Sequence, residues 1–314
     1  MVTAEEKNAA VQKPLIVDRK YISECREKSP ALICDIEAYP DGIVIPVDKP
    51  YRWTSADVIR KIKFAATRHF GKKSLKVGHA GTLDPLATGV LLICIGKATR
   101  LAEEFQSHDK EYIAGISFGA TTPSYDLEKE IDRHFPYSHI TDKGIREALK
   151  PFVGEQEQIA PLFSAKSVDG VRAYELARKL YRQYGAEGLS REGIFDQAAS
   201  EIIRTAKINI TDIELLSFLP SGKGNVHTGT VSDNNLTTSK ASSRINVADN
   251  SGLNLPHADI RIECSKGTYI RAFARDLGEA LESGAHLDSL QRSRSGEFKV
   301  SDALTVEQAI SVLA

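Results

Sequence analysis

The sequence predicts an α+β fold: a mixed, mostly antiparallel sheet with helices on its faces. Three observations predict it. Apolar, β-branched runs at 43–47, 90–95, 110–118, 207–219 and 258–264 have the length and composition of strands. Capped or amphipathic stretches lie between them, without the regular strand–helix alternation of a parallel sheet. The chain of 314 residues can bury a substantial core, as one large domain or two ordinary ones.

Taken in order, residues 1–40 are charged and weakly periodic, and read as a poorly packed N-terminal extension ahead of the main domain, 41–299. From Gly42 the run Ile43-Val44-Ile45-Pro46-Val47 forms a strand that ends at Asp48-Lys49-Pro50. Thr54 or Ser55 caps a helix whose apolar side carries Val58, Ile62, Ala65 and Ala66 and which stops near Gly71. A strand over 90–95, a short helix over 99–105 and a strand over 110–118 follow. A helix over 143–149 leads to a loop at 159–170 and a helix over 173–184. Strands over 207–219 and 258–264 and a helix over 270–282 complete the body. Residues 221–255 are rich in Ser, Thr, Asn and Gly and join two strands, so they read as a polar surface insertion of disordered-type composition. No catalytic residue is expected there. Residues 300–314 hold a turn-rich segment and a short helix from about Thr305.

Lys plus Arg number 41 against 42 Asp plus Glu, so binding to nucleic acid would need a local basic patch. Cys25, Cys34, Cys94 and Cys264 form no CxxC pair and have no His at zinc-finger spacing, which favours buried reduced thiols over a metal site or disulfide. The N-terminal residues lack a signal-peptide core, and no apolar run approaches the ~20 residues of a membrane span. A cytoplasmic protein with no membrane partner is expected.

Residues 78–89, GHAGTLDPLATG, form a glycine-rich turn that presents one acid, Asp84, just before the strand at 90–95. Gly78, Gly81 and Gly89 permit φ > 0 and close approach of a ligand, while Pro85 restrains Leu83 and Asp84. An isolated Asp in such a loop is usually a turn former. The basic run before it sets Asp84 apart: residues 58–83 hold Arg60, Lys61, Lys63, Arg68, Lys72, Lys73, Lys76 and His79 and no Asp or Glu. That pattern points to an anionic substrate. Gly96-Lys97-Ala98-Thr99 is not a phosphate loop, because Leu91 stands where the first glycine would be needed.

The string 78–89 with its flank resembles the catalytic motif of the TruB-type tRNA pseudouridine synthases, GHxGTLDPxATGxL, with every fixed position filled. Further segments resemble the same family in the same order: Lys110-Glu111-Tyr112 with the turn at 119–126, the stretch 164–178, and 264–271, CSKGTYIR. With Val47-Asp48-Lys49-Pro50 in front, the resemblance runs from about 42 to 298, apart from the insertion. Each segment alone is modest; their joint occurrence in order is specific.

The resemblance implies a pseudouridine synthase fold around a central RNA-binding cleft. It also implies isomerisation of uridine 55 in the tRNA T loop. That reaction breaks the ribose C1′–N1 bond, rotates the base and rejoins C1′ to C5, so it needs no redox agent or energy donor, and no cofactor or metal is expected. By resemblance Asp84 is the nucleophile, with attack at C1′, addition at C6 and assistance to loss of the C2′ hydrogen all open. Arg271 is the guanidinium that keeps it ionised. Tyr112 is the aromatic that stacks on the flipped base, offsetting about 1–3 kcal/mol of unstacking, and exchanges a proton through its hydroxyl.

His79 occupies the place of a histidine that holds the reorganised T loop, against a structural role. Lys49 either touches RNA or braces the Asp84 turn. Asp126 resembles a hydrogen-bonding loop residue, Tyr269 would line the pocket, and Leu290 stands at an apolar wall. Lys72, Lys73 and Lys76 would meet the RNA backbone. Pro123 and Tyr125 stand where relatives carry polar or acidic residues, which predicts a changed loop with Asp126 retained. Many relatives end in a PUA-like domain that 300–314 is too short to hold, which implies a stand-alone, monomeric bacterial enzyme that uses no guide RNA. The leading alternative is a tRNA folding factor using the same cleft. A nuclease or glycosidase is disfavoured because no second carboxylate or metal cluster pairs with Asp84 in the sequence.

Overall fold

The computed structural model describes residues 13–25, 31–161, 167–168, 171–172, 205–221 and 245–314. The first strands are β1 (Leu15–Ile16), β2 (Ile43–Lys49), β3 (Val77–Ala80), β4 (Thr88–Ile95), β5 (Lys110–Phe118), β6 (Ala120–Thr121) and β7 (Arg133–His134). Then come β8 (Gly154–Gln158), β9 (Ser167–Val168), β10 (Val171–Arg172), β11 (Ala206–Leu219), β12 (His257–Cys264), β13 (Ala285–Ser295) and β14 (Phe298–Lys299). The helices are α1 (Arg19–Glu24), α2 (Ser55–His69), α3 (Ala102–Ser107), α4 (Asp142–Leu149), α5 (Ile270–Ala280) and α6 (Val306–Ser311).

One sheet runs in the order β1-β2-β4-β13-β5-β12-β11-β8, with β3 also paired to β4 and β14 to β13. Within it only β1/β2 and β13/β4 pair in parallel, so the mixed, mostly antiparallel α+β architecture is as expected. β4 is apolar at successive positions because both its faces are covered. Leu91, Ile93 and Ile95 join Ile43, Ile45 and Val47 of β2 against Val58, Ile62 and Ala66 of α2 and Val306 and Ala309 of α6. Val90, Leu92 and Cys94 pack on the other side with Phe105 and Phe298. Each fully buried Val or Ile contributes about 1.5–3 kcal/mol. A capping box between Thr54 and Asp57 starts α2, satisfying amide groups that the first turn leaves unpaired. On the second half of the sheet, Phe273, Ala274 and Leu277 of α5 close over Ala114, Ile116, Ile260 and Ile262.

Several expectations change. Leu15–Ile16 pairs with Ile43 and Val44, and Val17 and Leu32 are core residues, so part of the segment before residue 41 is packed on the sheet while Ile33 and Cys34 stay exposed. Residues 77–80 form a strand, so the turn that carries Asp84 begins only after Ala80. The helix expected over 99–105 is a 3₁₀ turn, Gly96–Leu101, followed by α3. The expected polar insertion ends docked: Ala248 N–H donates to Leu127 O at 2.8 Å and Leu255 is buried. The helix expected at 173–184, most of the loop at 159–170 and residues 222–244 lie outside the described residues. Of the four thiols only Cys94 and Cys264 are buried; Cys34 is exposed and Cys25 intermediate, and none is paired.

The largest omission is β13, which sits between β4 and β5 at the centre of the sheet. Its periodicity is hidden by register shifts at Leu287/Ser289 and Arg292/Arg294 and by buried polar residues, His286 and Arg292. No described helix is long and apolar enough to cross a membrane.

Candidate active site

Asp84 sits in the turn between β3 and β4, and buried polar groups pin that turn from below. Ser55, the first residue of α2, accepts from Leu83 N–H at 3.0 Å and donates to Leu83 O at 3.2 Å. Lys49 Nζ donates to Trp53 O at 2.6 Å, Pro50 O at 3.0 Å and Pro85 O at 3.2 Å. Both residues flanking Asp84 are therefore held. Lys49 has no exposed surface, and these bonds brace the turn. Burial pushes its ammonium down to about 7, against the attraction of Asp84 and Asp48.

Gly81 lines the cleft, whereas Gly89 serves the chain's own packing. Gly81 and Gly89 have φ of +80° and +98°, whereas Gly78 is an ordinary strand residue. A Cβ on Gly89 would collide with the backbone N, C and O of Arg292 in β13. The close approach is made by the chain's own backbone, at the parallel junction where Arg292 pairs with Gly89.

Arg271 enters from the first turn of α5. Its Nε donates to Asp84 Oδ2 at 2.9 Å and lies 3.7 Å from Asp126 Oδ2; its Nη1 donates to Ser124 O at 3.3 Å. The start of α5 is set by Gln158 of β8, whose amide accepts from Tyr269 N–H at 2.8 Å and donates to Tyr269 O at 3.2 Å. Burial disfavours the Arg271 charge, but the Asp84 and Asp126 carboxylates outweigh it and raise its pKa further. The Asp84 side chain is 41% exposed against 5% for Arg271, so the carboxylate is presented while its counter-ion is enclosed.

Asp126, expected as a hydrogen-bonding loop residue, is the second carboxylate at Arg271. It is buried, accepts from Ser124 Oγ at 2.6 Å and Glu128 N–H at 2.9 Å, and its pKa is raised by burial, with Arg271 opposing. Its carboxylate approaches the same Nε as Asp84 and makes it a second partner of Arg271. The changed loop is visible beside it: Tyr125 adopts φ 55°, a region most side chains avoid, and Arg275 stacks 5.8 Å from its ring centroid.

A cleft of about 310 Å³ opens over these groups, lined among others by Asp84, Tyr112, Tyr269, Arg271, Leu290 and Arg292. It brings together five of the sequence-predicted site residues and is of small-ligand size. Tyr112 projects from β5, its hydroxyl pKa raised by burial with Arg292 opposing. Lys110 also lines the cleft, but its Nζ is taken up by Gln106 O at 2.6 Å and by His108 O, beyond the end of α3.

The other expected contacts lie apart. His79 is a half-buried residue of β3, paired to Ile93, not part of an open loop; burial lowers its pKa, and it does not line the cleft. Lys72, Lys73 and Lys76 are exposed and outside the cleft, and Lys72 pairs with Glu37 at 2.9 Å. Arg292, Ser55 and Gln158 were not legible. Arg292 in an unrecognised strand had no local signal except its place two residues beyond Leu290.

Residues 67–183 match the model for the TruB family pseudouridylate synthase (N terminal domain), and with the fold and cleft this defines an isomerase of the pseudouridine synthase class. Among curated proteins, tRNA pseudouridine synthase B of Phocaeicola vulgatus is 47% identical over 270 residues, 86% of this chain and 92% of that protein. The protein of the same name from Flavobacterium johnsoniae is 39% identical over 86% of this chain and 95% of its own. The chain belongs to the TruB family. A solved Cbf5-Nop10-Gar1 complex aligns at 25% identity with a TM-score of 0.49, over 84% of this chain and 52% of the other, so this chain spans about half its length.

Proposed function

We infer that this protein isomerises a uridine of tRNA to pseudouridine, at position 55 of the T loop, with Asp84 as nucleophile. The observation that carries the reading is the Asp84–Arg271 pair at 2.9 Å in a cleft walled by Tyr112. The shared name of the relatives, tRNA pseudouridine synthase B, supports tRNA as the substrate.

In this reading the target nucleotide is flipped into the cleft. Its base stacks on Tyr112 and packs against Leu290, and Tyr269 closes the side next to Arg271. Asp84, kept anionic beside Arg271, acts at the sugar and base. Once C1′ is joined to C5, the proton on C5 leaves through the Tyr112 hydroxyl to water, its electron pair stays in the ring, and N1, freed from the sugar, takes a proton from water. Atoms balance without a cofactor. The exposed Lys73 and Lys76 lie where an RNA backbone outside the cleft would meet them.

The test is a tRNA transcript carrying tritium at uridine C5. Isomerisation releases that hydrogen to water, because C5 becomes the glycosidic carbon. Stoichiometric release, lost on changing uridine 55, supports the reading. Binding without release overturns it in favour of a tRNA folding factor. Asp84→Asn is expected to lower release by about 10³-fold or more with tRNA affinity nearly unchanged; substantial residual turnover means another group is the nucleophile.

A further inference from the structure

Arg292 is 2% exposed, one of the largest fully buried side chains in the protein. Its guanidinium holds both ends of the Asp84 turn. Nε donates to Val90 O at 2.7 Å, behind that turn. Nη2 donates to Gly81 O at 3.1 Å, at its front. In the register of β13 with β5, Arg292 stands directly opposite Tyr112, and the two line the cleft together with Asp84. Ser55 and Lys49 hold the residues flanking Asp84; among the described residues Arg292 is the one that spans from that turn to Tyr112.

The bonds made here are to neutral groups, and no carboxylate lies within ion-pair distance among the described residues. Burying a guanidinium without a counter-ion is costly. An aliphatic side chain would fill the space with less desolvation if packing were the only demand. The guanidinium also packs against the turn itself, with Nη1 in van der Waals range of where a Cβ on Gly81 would lie, at 3.4 Å.

We propose that Arg292 is a positioning residue of the reaction, a fork that fixes the Asp84 turn beside its cross-strand neighbour Tyr112 so that both meet the same nucleotide. A planar guanidinium can serve divergent acceptors at once; an ammonium on a flexible stem cannot hold the same geometry. The cation beside the phenol also favours loss of its proton. The inference rests on the roles given above to Asp84 and Tyr112.

The test compares Arg292→Lys and Arg292→Gln with the wild type in single-turnover tritium release, tRNA affinity, thermal stability and rate against pH. The expected result for Arg292→Lys is a rate about 100-fold lower with affinity within about 3-fold. For Arg292→Gln, the ionisation of Tyr112 should move to higher pH. It is read as the carbon-13 resonance of the ring carbon bearing the hydroxyl, assigned by its disappearance in Tyr112→Phe. An unchanged rate and profile in either folded variant overturns the proposal. So does a loss of rate matched by equal losses of affinity and stability in Arg292→Lys, which marks a purely structural arginine. If Arg292→Gln does not fold, Arg292→Lys alone decides through its split between rate and affinity. A wild type that binds tRNA without release would refute the proposed function instead, and the Tyr112 titration would still report on Arg292.

Discussion

Arg271 Nε donates to Asp84 Oδ2 across 2.9 Å, although 187 residues separate the two in the chain. Asp126 Oδ2 approaches the same Nε at 3.7 Å. One buried cation therefore serves an exposed carboxylate and a buried one, and only the exposed carboxylate is offered to the cleft.

Arg271→Met keeps much of the volume but leaves both carboxylates without their cation. Burial already raises the Asp126 pKa and Arg271 opposes that rise, so the variant should hold Asp126 protonated to higher pH. Breaking a buried pair from one side costs about 3–5 kcal/mol. Tritium release should fall by at least about 100-fold, as measured at saturating tRNA. Near wild-type release would remove the guanidinium from the mechanism.

Gly89→Ala tests the packing of the motif and involves no chemistry. The new methyl would meet Arg292 backbone atoms at a residue whose φ is +98°. A loss of about 3 kcal/mol or more is expected, read by denaturant unfolding. A neutral substitution would show that β4 and β13 can separate at this point.

His257 is a buried histidine between two carboxylates, with Nδ1 at 2.7 Å from Asp288 Oδ2 and Nε2 at 3.2 Å from Asp259 Oδ1. Burial alone would lower its pKa, but the carboxylates raise it from the ordinary 6.5 to about 10. The folded state therefore binds the extra proton. The stabilisation is fully present below 6.5 and is lost as pH rises through about 10. Lys49, lowered from 10.5 to about 7, gives a slope of opposite sign over its own window. The measurement is therefore the melting temperature of the wild type minus that of His257→Gln, in which Lys49 cancels. The difference should be largest near pH 6.5 and shrink toward pH 10. A difference that does not vary with pH would mean a neutral histidine.

Lys72, Lys73 and Lys76 are exposed and lie outside the cleft. Replacing all three with Gln should weaken tRNA binding and flatten its dependence on salt, by about 0.7–0.9 in the log–log slope for each phosphate no longer neutralised. The single-turnover rate at saturation should hold. Lys72, already paired with Glu37, should contribute least when the three are changed singly. Unchanged affinity would place the RNA backbone on another surface.

Much of this could be read from the chain. β2, β4, β5 and β12 announced themselves as apolar β-branched runs, and α2 by its cap and its 3.6-residue stripe, because these signals lie within a few residues of one another. β13 did not, since its buried faces carry His286 and Arg292 and its register slips twice. Asp84, Tyr112 and Arg271 were legible as residue types in ordered motifs, and the cleft brings them together. His79 and Lys49 were legible as residues but not in role, because a side chain's role depends on what covers it.

The sequence by itself determined the α+β class and the Asp84 turn, since strand periodicity, capping and glycine conformation are local properties of the backbone, while Tyr112 and Arg271 were picked out by the resemblance of ordered motifs to a family. Only the tertiary structure decided that Lys49 is buried under the turn, that Asp126 shares Arg271 with Asp84, and that Gly89 makes room for the Arg292 backbone. Those relations join residues from about 40 to 200 positions apart, where burial and the match of donors to acceptors arise from packing and leave no trace in neighbouring residues.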